Sequence, residues 1–169
     1  MFTSIAIIGR PNVGKSTLFN KLTKTREAIV SDFPGLTKDR NYGYIRLGSI
    51  KSFIIDTGGI GKDESNLSQN ISDQAWIAAN ECKLILFIVD GSENLTSEDF
   101  DILSSLRKLN KPYITLLNKS DKSSKSDALN DISSKGIKNF LNISAEHTKG
   151  LDELKKLLIT MLPEKDDEI

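Results

Sequence analysis

The chain has 169 residues, of which 38% are hydrophobic, and its 23 lysines and arginines balance 23 aspartates and glutamates. This length predicts one domain with a sizeable core, and the charge balance excludes a global field that would favour nucleic acid or anionic lipid. The longest apolar run, 84–89, is too short to cross a bilayer, so no membrane partner is expected.

A single cysteine, Cys82, excludes an internal disulfide and fits a reducing compartment. It lies just before an apolar run, which favours a buried structural thiol. No basic region precedes the first apolar residues, so we expect no signal peptide and a cytoplasmic location.

Short apolar runs alternate with amphipathic stretches along the chain. The predicted strands are 4–8, 42–47, 53–56, 84–90, 113–118 and 140–143, and the predicted helices are 16–22, 67–79, 98–109, 127–134 and 151–161. Gly48-Ser49 between two extended runs predicts a hairpin, so one edge strand should be antiparallel. The fold class is therefore α/β, a mostly parallel six-stranded sheet with helices on both faces. We expect residues 1–162 to form this domain and the acidic residues 163–169 to begin a linker.

The first strand leads into a loop that matches G-x-x-x-x-G-K-S and precedes a helix: Gly9-Arg10-Pro11-Asn12-Val13-Gly14-Lys15-Ser16-Thr17. In such a P-loop, backbone N–H groups and the helix dipole converge on phosphate, and Lys15 adds a full positive charge. Gly9 and Gly14 stand where a Cβ would obstruct the turn or the phosphate. The Ser16 hydroxyl is a candidate ligand for Mg²⁺. A glycine turn without function is the alternative, but the flanking strand and helix favour a P-loop NTPase.

Ligands of parallel sheets bind beyond the carboxyl ends of the strands, so motifs that complement the P-loop should follow strands. The strand 53–55 is followed by Asp56-Thr57-Gly58-Gly59-Ile60. Asp56 is expected to hold Mg²⁺ through water, and the Gly59 N–H can approach a γ-phosphate. The alternative is an ordinary turn that begins with an aspartate.

The strand 113–117 is followed by Asn118-Lys119-Ser120-Asp121. A carboxylate only accepts hydrogen bonds, so Asp121 can take two from the N1–H and 2-amino groups of guanine, whereas adenine would present a lone pair. Asn118 can bridge the base N7 and neighbouring loops, and the stem of Lys119 can cover the base. The next strand is followed by Ser144-Ala145, small residues that would let backbone N–H groups reach guanine O6. These motifs predict GTP and GDP as ligands.

A loop rich in turn residues, 32–40, lies between the first helix and the second strand. Thr37 in this loop is the best candidate to complete Mg²⁺ coordination and to bond the γ-phosphate through its N–H. That contact exists only while the γ-phosphate exists, so the sequence predicts a conformational switch.

Taken in order, these motifs resemble the Era-like GTPases of the translation-factor-like branch. The segments Gly-Arg-Pro-Asn-Val-Gly-Lys-Ser, Phe-Pro-Gly-Leu-Thr-Lys-Asp-Arg, Asp-Thr-Gly-Gly-Ile, Asn-Lys-Ser-Asp and Ile-Ser-Ala-Glu-His are most similar to the first GTPase domain of the Der (EngA) family. The resemblance implies GTP hydrolysis and a role in assembling the large ribosomal subunit. Family members continue into a second GTPase domain and a KH-like domain, so the chain is expected to be an excised or truncated first domain, and autonomous ribosome binding is in doubt.

The resemblance also bears on catalysis. Ras-like GTPases orient the attacking water with a glutamine after Asp-x-x-Gly, but Ile60 occupies that position here and cannot make a hydrogen bond. Related GTPases with an asparagine at the Asn12 position bind K⁺ there, which implies a K⁺ beside the phosphates in place of an arginine finger. The alternative is that Asn12 merely caps the loop. Together with Lys15, Thr37 and Gly59, Asn12 completes the expected catalytic set.

Other interpretations stay open at this point. Ile60 favours a nucleotide-gated binding module with negligible hydrolysis, since intrinsic rates without a positioned glutamine can be as slow as about 10⁻⁴ s⁻¹. A tRNA-modifying GTPase shares the asparagine-bearing P-loop, and an ATPase is disfavoured by Asp121. Arg10 and Arg40 are expected to be surface residues rather than catalytic fingers. His147 has no neighbouring nucleophile in a recognisable triad arrangement.

Overall fold

The computed structural model describes residues 3–23, 41–59, 73–122 and 128–162. Within these ranges a six-stranded sheet has the strand order β2-β3-β1-β4-β5-β6. The strands are β1 (Thr3–Ile8), β2 (Asn41–Leu47), β3 (Ile50–Asp56), β4 (Leu84–Asp90), β5 (Tyr113–Asn118) and β6 (Phe140–Asn142). The helices described are α1 (Lys15–Leu22), α2 (Asp73–Glu81), α3 (Ser97–Leu109), α4 (Ala128–Ser134) and α5 (Leu151–Met161), with short 3₁₀ turns at Thr57–Gly59 and Ser120–Lys122.

The predicted fold class is confirmed. β2 and β3 form the antiparallel hairpin, whereas β1, β3, β4, β5 and β6 pair in parallel. The turn between β2 and β3 uses Gly48 at a φ of 63°, a left-handed conformation that glycine adopts without steric cost. β3 begins three residues before the predicted start, because Lys51 and Ser52 complete the ladder with β2. Because these two residues are polar, the apolar pattern in the sequence does not predict the beginning of this strand.

Helix boundaries follow the predicted pattern wherever the chain is described. α5 has the predicted bounds, and its apolar stripe buries Leu151, Leu154 and Leu158. α3 begins one residue early, at Ser97, because Thr96 and Asp99 form a reciprocal capping box before it. α2 runs two residues beyond its predicted end, and residues 67–72 of the prediction lie outside the described residues.

The core has one layer on each face of the sheet, because side chains of a strand point alternately to the two faces. In β1, Ile5 and Ile7 belong to the cluster under α1 and α5, whereas Ala6 and Ile8 belong to the cluster under α2 and α3. Cys82 is buried in the second cluster, as predicted. None of the helices in the described part of the chain is long and apolar enough to span a membrane.

Parallel pairing brings the carboxyl ends of five strands to one edge of the sheet. The β1–β3 register places Ile7 opposite Asp56, and the β4–β5 register places Asp90 opposite Asn118. The segments that follow these strands therefore start from neighbouring positions, and they include the predicted functional motifs.

Candidate nucleotide-binding site

The P-loop is held in shape by two close approaches to neighbouring elements. Gly14 has a φ of 106°, and a Cβ on it would lie 2.2 Å from the Asn118 Nδ2 atom. A Cβ on Gly9 would lie 2.5 Å from the carbonyl oxygen of Ile88 in β4. Since distances this short do not occur for real Cβ atoms, both positions need glycine for the loop to reach this place. Val13, between them, is fully buried and anchors the loop to the core.

Lys15 opens helix α1 and lies against its own loop. Its Nζ atom donates hydrogen bonds to the carbonyl oxygens of Gly9 and Arg10, at 2.6 Å and 2.9 Å. A Cβ on Gly58 would lie 2.8 Å from the Lys15 Cε atom, so the lysine also packs against the turn after β3. A phosphate oxygen would compete with these two carbonyl groups for the ammonium.

Ser16 and Asp56 bring a hydroxyl and a carboxylate together, with the Ser16 Oγ atom 3.4 Å from Asp56 Oδ2. The other carboxylate oxygen accepts a hydrogen bond from the Gly58 N–H at 3.0 Å. Thr57 ties this turn to β1 by donating its hydroxyl to the Ile7 carbonyl at 2.6 Å. Hydroxyl and carboxylate oxygens are ligands that Mg²⁺ accepts, and it commonly uses one or two carboxylates together with phosphate oxygens. Among the described residues there is no larger cluster of metal-binding side chains.

Asn118 joins three segments of the site from a buried position. Its Nδ2 group donates to the Val13 carbonyl at 2.8 Å, and its Oδ1 atom accepts from the Ala145 N–H at 3.0 Å. The side chain thus links the P-loop to the segment after β6, as the sequence analysis expected of it. The Ala145 N–H assigned there to guanine O6 is engaged by Asn118, so a base would have to share or exchange this bond.

Lys119 reaches across the site in the left-handed conformation, with a φ of 61°. Its Nζ atom lies 3.0 Å from Asp90 Oδ2 and 3.3 Å from the Asn12 carbonyl oxygen. Burial raises the pKa of Asp90, but hydrogen bonds from Ser92 and Lys119 outweigh burial, and the net pKa is lowered. Asp90 was not among the predicted site residues, although it is the last residue of β4 and the rule of strand ends points to it.

Asp121 lies on the 3₁₀ turn after β5, and its side chain is 23% exposed. Burial acts to raise the pKa of its carboxyl group, but the Ser144 hydrogen bond, its own backbone N–H and the charges of His147 and Lys122 lower it overall. Asp121 is therefore an ionised acceptor at neutral pH. The His147 Nε2 atom lies 3.4 Å from Asp121 Oδ2, a contact that sequence reasoning did not anticipate.

Arg10 is the other residue whose partners the sequence did not reveal. Its Nε atom lies 3.2 Å from Oδ1 of the buried Asp99, and its second terminal nitrogen lies 3.2 Å from Glu93. Burial lowers the pKa of Arg10, but these carboxylates raise it overall. Arg10 thus ties the P-loop to the start of α3, and with a side chain only 16% exposed it is not the surface residue that the sequence predicted.

Two predicted site residues, Thr37 and Ile60, lie outside the described residues, as do the whole loop 32–40 and residues 60–66. The other predicted residues lie on the segments that follow the carboxyl ends of β1, β3, β5 and β6, and α1 begins among them. Gly59 ends the 3₁₀ turn after β3, and the Ser120 N–H donates to the Ile143 carbonyl at 3.0 Å, which joins the last two segments.

Residues 4–119 match the family model described as 50S ribosome-binding GTPase. The chain is 45% identical to GTPase Der from Xanthomonas campestris pv. campestris (strain B100) over 166 residues, which cover 98% of this chain and 36% of that protein. It is also 45% identical to GTPase Der from Legionella pneumophila (strain Lens) over 172 residues. The chain therefore spans little more than a third of the length of these curated relatives.

Two solved structures support the fold assignment. The structure of Era in complex with MgGDPNP and a segment of 16S ribosomal RNA superposes with a TM-score of 0.78 at 31% identity, covering 99% of this chain and 59% of that one. An Era variant from Aquifex aeolicus bound to GDP and aluminium fluoride gives a TM-score of 0.77 at 32% identity, with 98% and 59% covered.

Proposed function

Because the chain belongs to the family of 50S ribosome-binding GTPases, we propose that it binds GTP and GDP across its P-loop and Asp121 and hydrolyses GTP as a conformational switch. Lys15 and the loop N–H groups would hold the phosphates, and Asp121 would read the guanine edge. The role of these residues is inferred from their chemistry and placement.

The observation that carries the proposal is the position of Asn118. One amide bonds both the P-loop and the segment after β6, at 2.8 Å and 3.0 Å, and Asp121 follows it by only three residues. The loop proposed to bind phosphate and the carboxylate proposed to read guanine therefore share one buried support. A glycine turn without function would not need this link.

The residues present fit a Mg²⁺ ion, since Ser16 and Asp56 offer hard oxygen donors close together. They would hold the ion with Thr37, and the ion would neutralise charge on the outer phosphates. Lys15 would give up its bonds to Gly9 and Arg10 for a phosphate oxygen. Thr37 and Gly59 would report the γ-phosphate through their N–H groups.

Potassium stimulation is a finer proposal that rests on Asn12. This residue is exposed and adopts the left-handed conformation with a φ of 69°, next to loop carbonyls. An exposed amide oxygen beside the phosphates can be a ligand for a monovalent cation, which would stabilise developing charge in the transition state. A capping role for Asn12 predicts no difference between Na⁺ and K⁺.

The alternative function is a nucleotide-gated binding module with negligible hydrolysis of its own. The identity of Ile60 favours it, because an isoleucine cannot orient the attacking water. In that case a partner would have to complete the catalytic site. Membership of the family of 50S ribosome-binding GTPases supports the large ribosomal subunit as the setting for either function.

The test is GTP turnover by the purified chain in KCl and in NaCl at equal ionic strength, with Mg²⁺ present. The proposal expects phosphate release in KCl that falls in NaCl and that is lost in Lys15→Ala. Equal turnover in both salts contradicts the potassium role of Asn12 alone. Bound GTP without turnover in either salt would favour the binding module.

A further inference from the structure

The loop between β6 and α5 is a closed turn whose backbone is locked by its own hydrogen bonds. Ser144 and Lys149 exchange two backbone bonds, each of 3.0 Å, and the Thr148 N–H donates to the Ala145 carbonyl at 3.3 Å. Gly150, with a φ of 80°, closes the turn at a point where a Cβ would lie 2.6 Å from the Asn142 carbonyl oxygen. The position of His147 within this turn is therefore set by the backbone.

This turn presents His147 to the carboxylate proposed to read guanine. The Nε2 atom lies 3.4 Å from Asp121 Oδ2, and half of the His147 side chain is exposed. Ser144 donates a hydrogen bond from its buried hydroxyl to the same carboxylate. Lys122 contributes a positive charge from the turn that carries Asp121. Asp121 is thus approached from the loop after β6 by two side chains.

Orientation of this carboxylate matters more for guanine than for related bases. Guanine offers two donors, N1–H and the 2-amino group, which engage both oxygens only when the carboxylate lies in the plane of the base. Hypoxanthine offers N1–H alone, so a single oxygen satisfies it in many orientations. The terminal torsion of an aspartate is broad, and contacts on its oxygens are needed to fix it.

We propose that His147 is a specificity-determining residue that positions the Asp121 carboxylate, through Nε2 and Oδ2, for bidentate recognition of guanine. It acts on the base through Asp121 and takes no part in chemistry at the γ-phosphate. The inference rests on the proposed function, because it concerns the same guanine site.

The experiment compares the dissociation constants of GDP and IDP by isothermal titration, since IDP lacks only the 2-amino group. His147→Ala should weaken the binding of GDP about two- to fivefold, the factor that corresponds to a half-exposed polar contact, and leave the binding of IDP nearly unchanged. His147→Gln, which retains an N–H donor near the Nε2 position, should restore most of the preference for GDP. Lys149→Ala is the matched control, because it removes a cation from the same loop and keeps its backbone bonds.

Three results would overturn the inference. An equal loss for GDP and IDP in His147→Ala would mean that the histidine only supports the loop, and unchanged affinity for both nucleotides would mean that it does not position Asp121. A His147→Gln variant that discriminates no better than the alanine variant would contradict positioning through a donor. If the unaltered chain shows no preference for GDP over IDP, the guanine assignment itself fails, which separates the two proposals.

Discussion

Replacing Asn118 by alanine removes the link between the P-loop and the segment after β6. The side chain is 4% exposed and makes two hydrogen bonds, to the Val13 carbonyl and from the Ala145 N–H. Both backbone groups would lose their partners in a buried place, and each orphaned group costs about 1–3 kcal/mol. We therefore expect Asn118→Ala to lower the free energy of unfolding by about 2–4 kcal/mol, allowing for partial access of water.

The same change should weaken the binding of GDP, because the support shared by the P-loop and Asp121 is lost. Urea unfolding measures the free energy of unfolding, and titration with GDP measures the dissociation constant. Asn142→Ala is the matched control, since Asn142 is an exposed residue at the end of β6 and its loss should cost less than about 0.5 kcal/mol. If Asn118→Ala were as stable as this control and bound GDP as tightly as the unaltered chain, the reasoning would be refuted.

Further predictions follow from single contacts. Gly14→Ala combines a φ of 106° with a Cβ only 2.2 Å from Asn118 Nδ2, so it should reduce GDP affinity more than about tenfold, and an unimpaired titration would contradict this. Arg10→Gln leaves the buried Asp99 without its cation and should lower the free energy of unfolding by about 1–3 kcal/mol in urea. The pKa of Asp90 is lowered in the folded chain, so its contribution to stability is present above about pH 4 and lost as pH falls through that lowered pKa. The difference in free energy of unfolding between the unaltered chain and Asp90→Asn, measured in urea, should therefore be larger at pH 7 than below about pH 3. A difference that is constant with pH would contradict a lowered pKa of Asp90. Asp121→Asn should shift binding from GDP toward XDP, because an amide can donate to the 2-oxo group, and retained GDP preference in a competition assay would count against the guanine assignment.

The sheet was predictable where apolar runs are continuous. β4 and β5 have the predicted bounds, because each is a buried strand whose last residue is polar and lies at the site. β3 was predicted too short, since Lys51 and Ser52 are polar residues of a two-stranded ladder, and only the pairing with β2 extends the strand to them.

The positions of the site motifs were predictable for a general reason. Parallel strands bring their carboxyl ends to one edge, so motifs that follow different strands meet there. The pairs between these segments were not predictable, because they depend on tertiary distances. Arg10 and Asp99 are 89 residues apart, and Lys119 and Asp90 are 29 apart, with no local pattern that joins them.

The most direct test of the account is to titrate the purified chain with GDP and with ADP under identical conditions, with Mg²⁺ present, and to compare the two dissociation constants. A site built on a carboxylate that pairs with guanine should bind GDP at least about 10³-fold more tightly than ADP. Equal affinity for the two nucleotides would leave the P-loop in place as a phosphate site, and it would contradict the central claim that Asp121 makes this a guanine nucleotide switch.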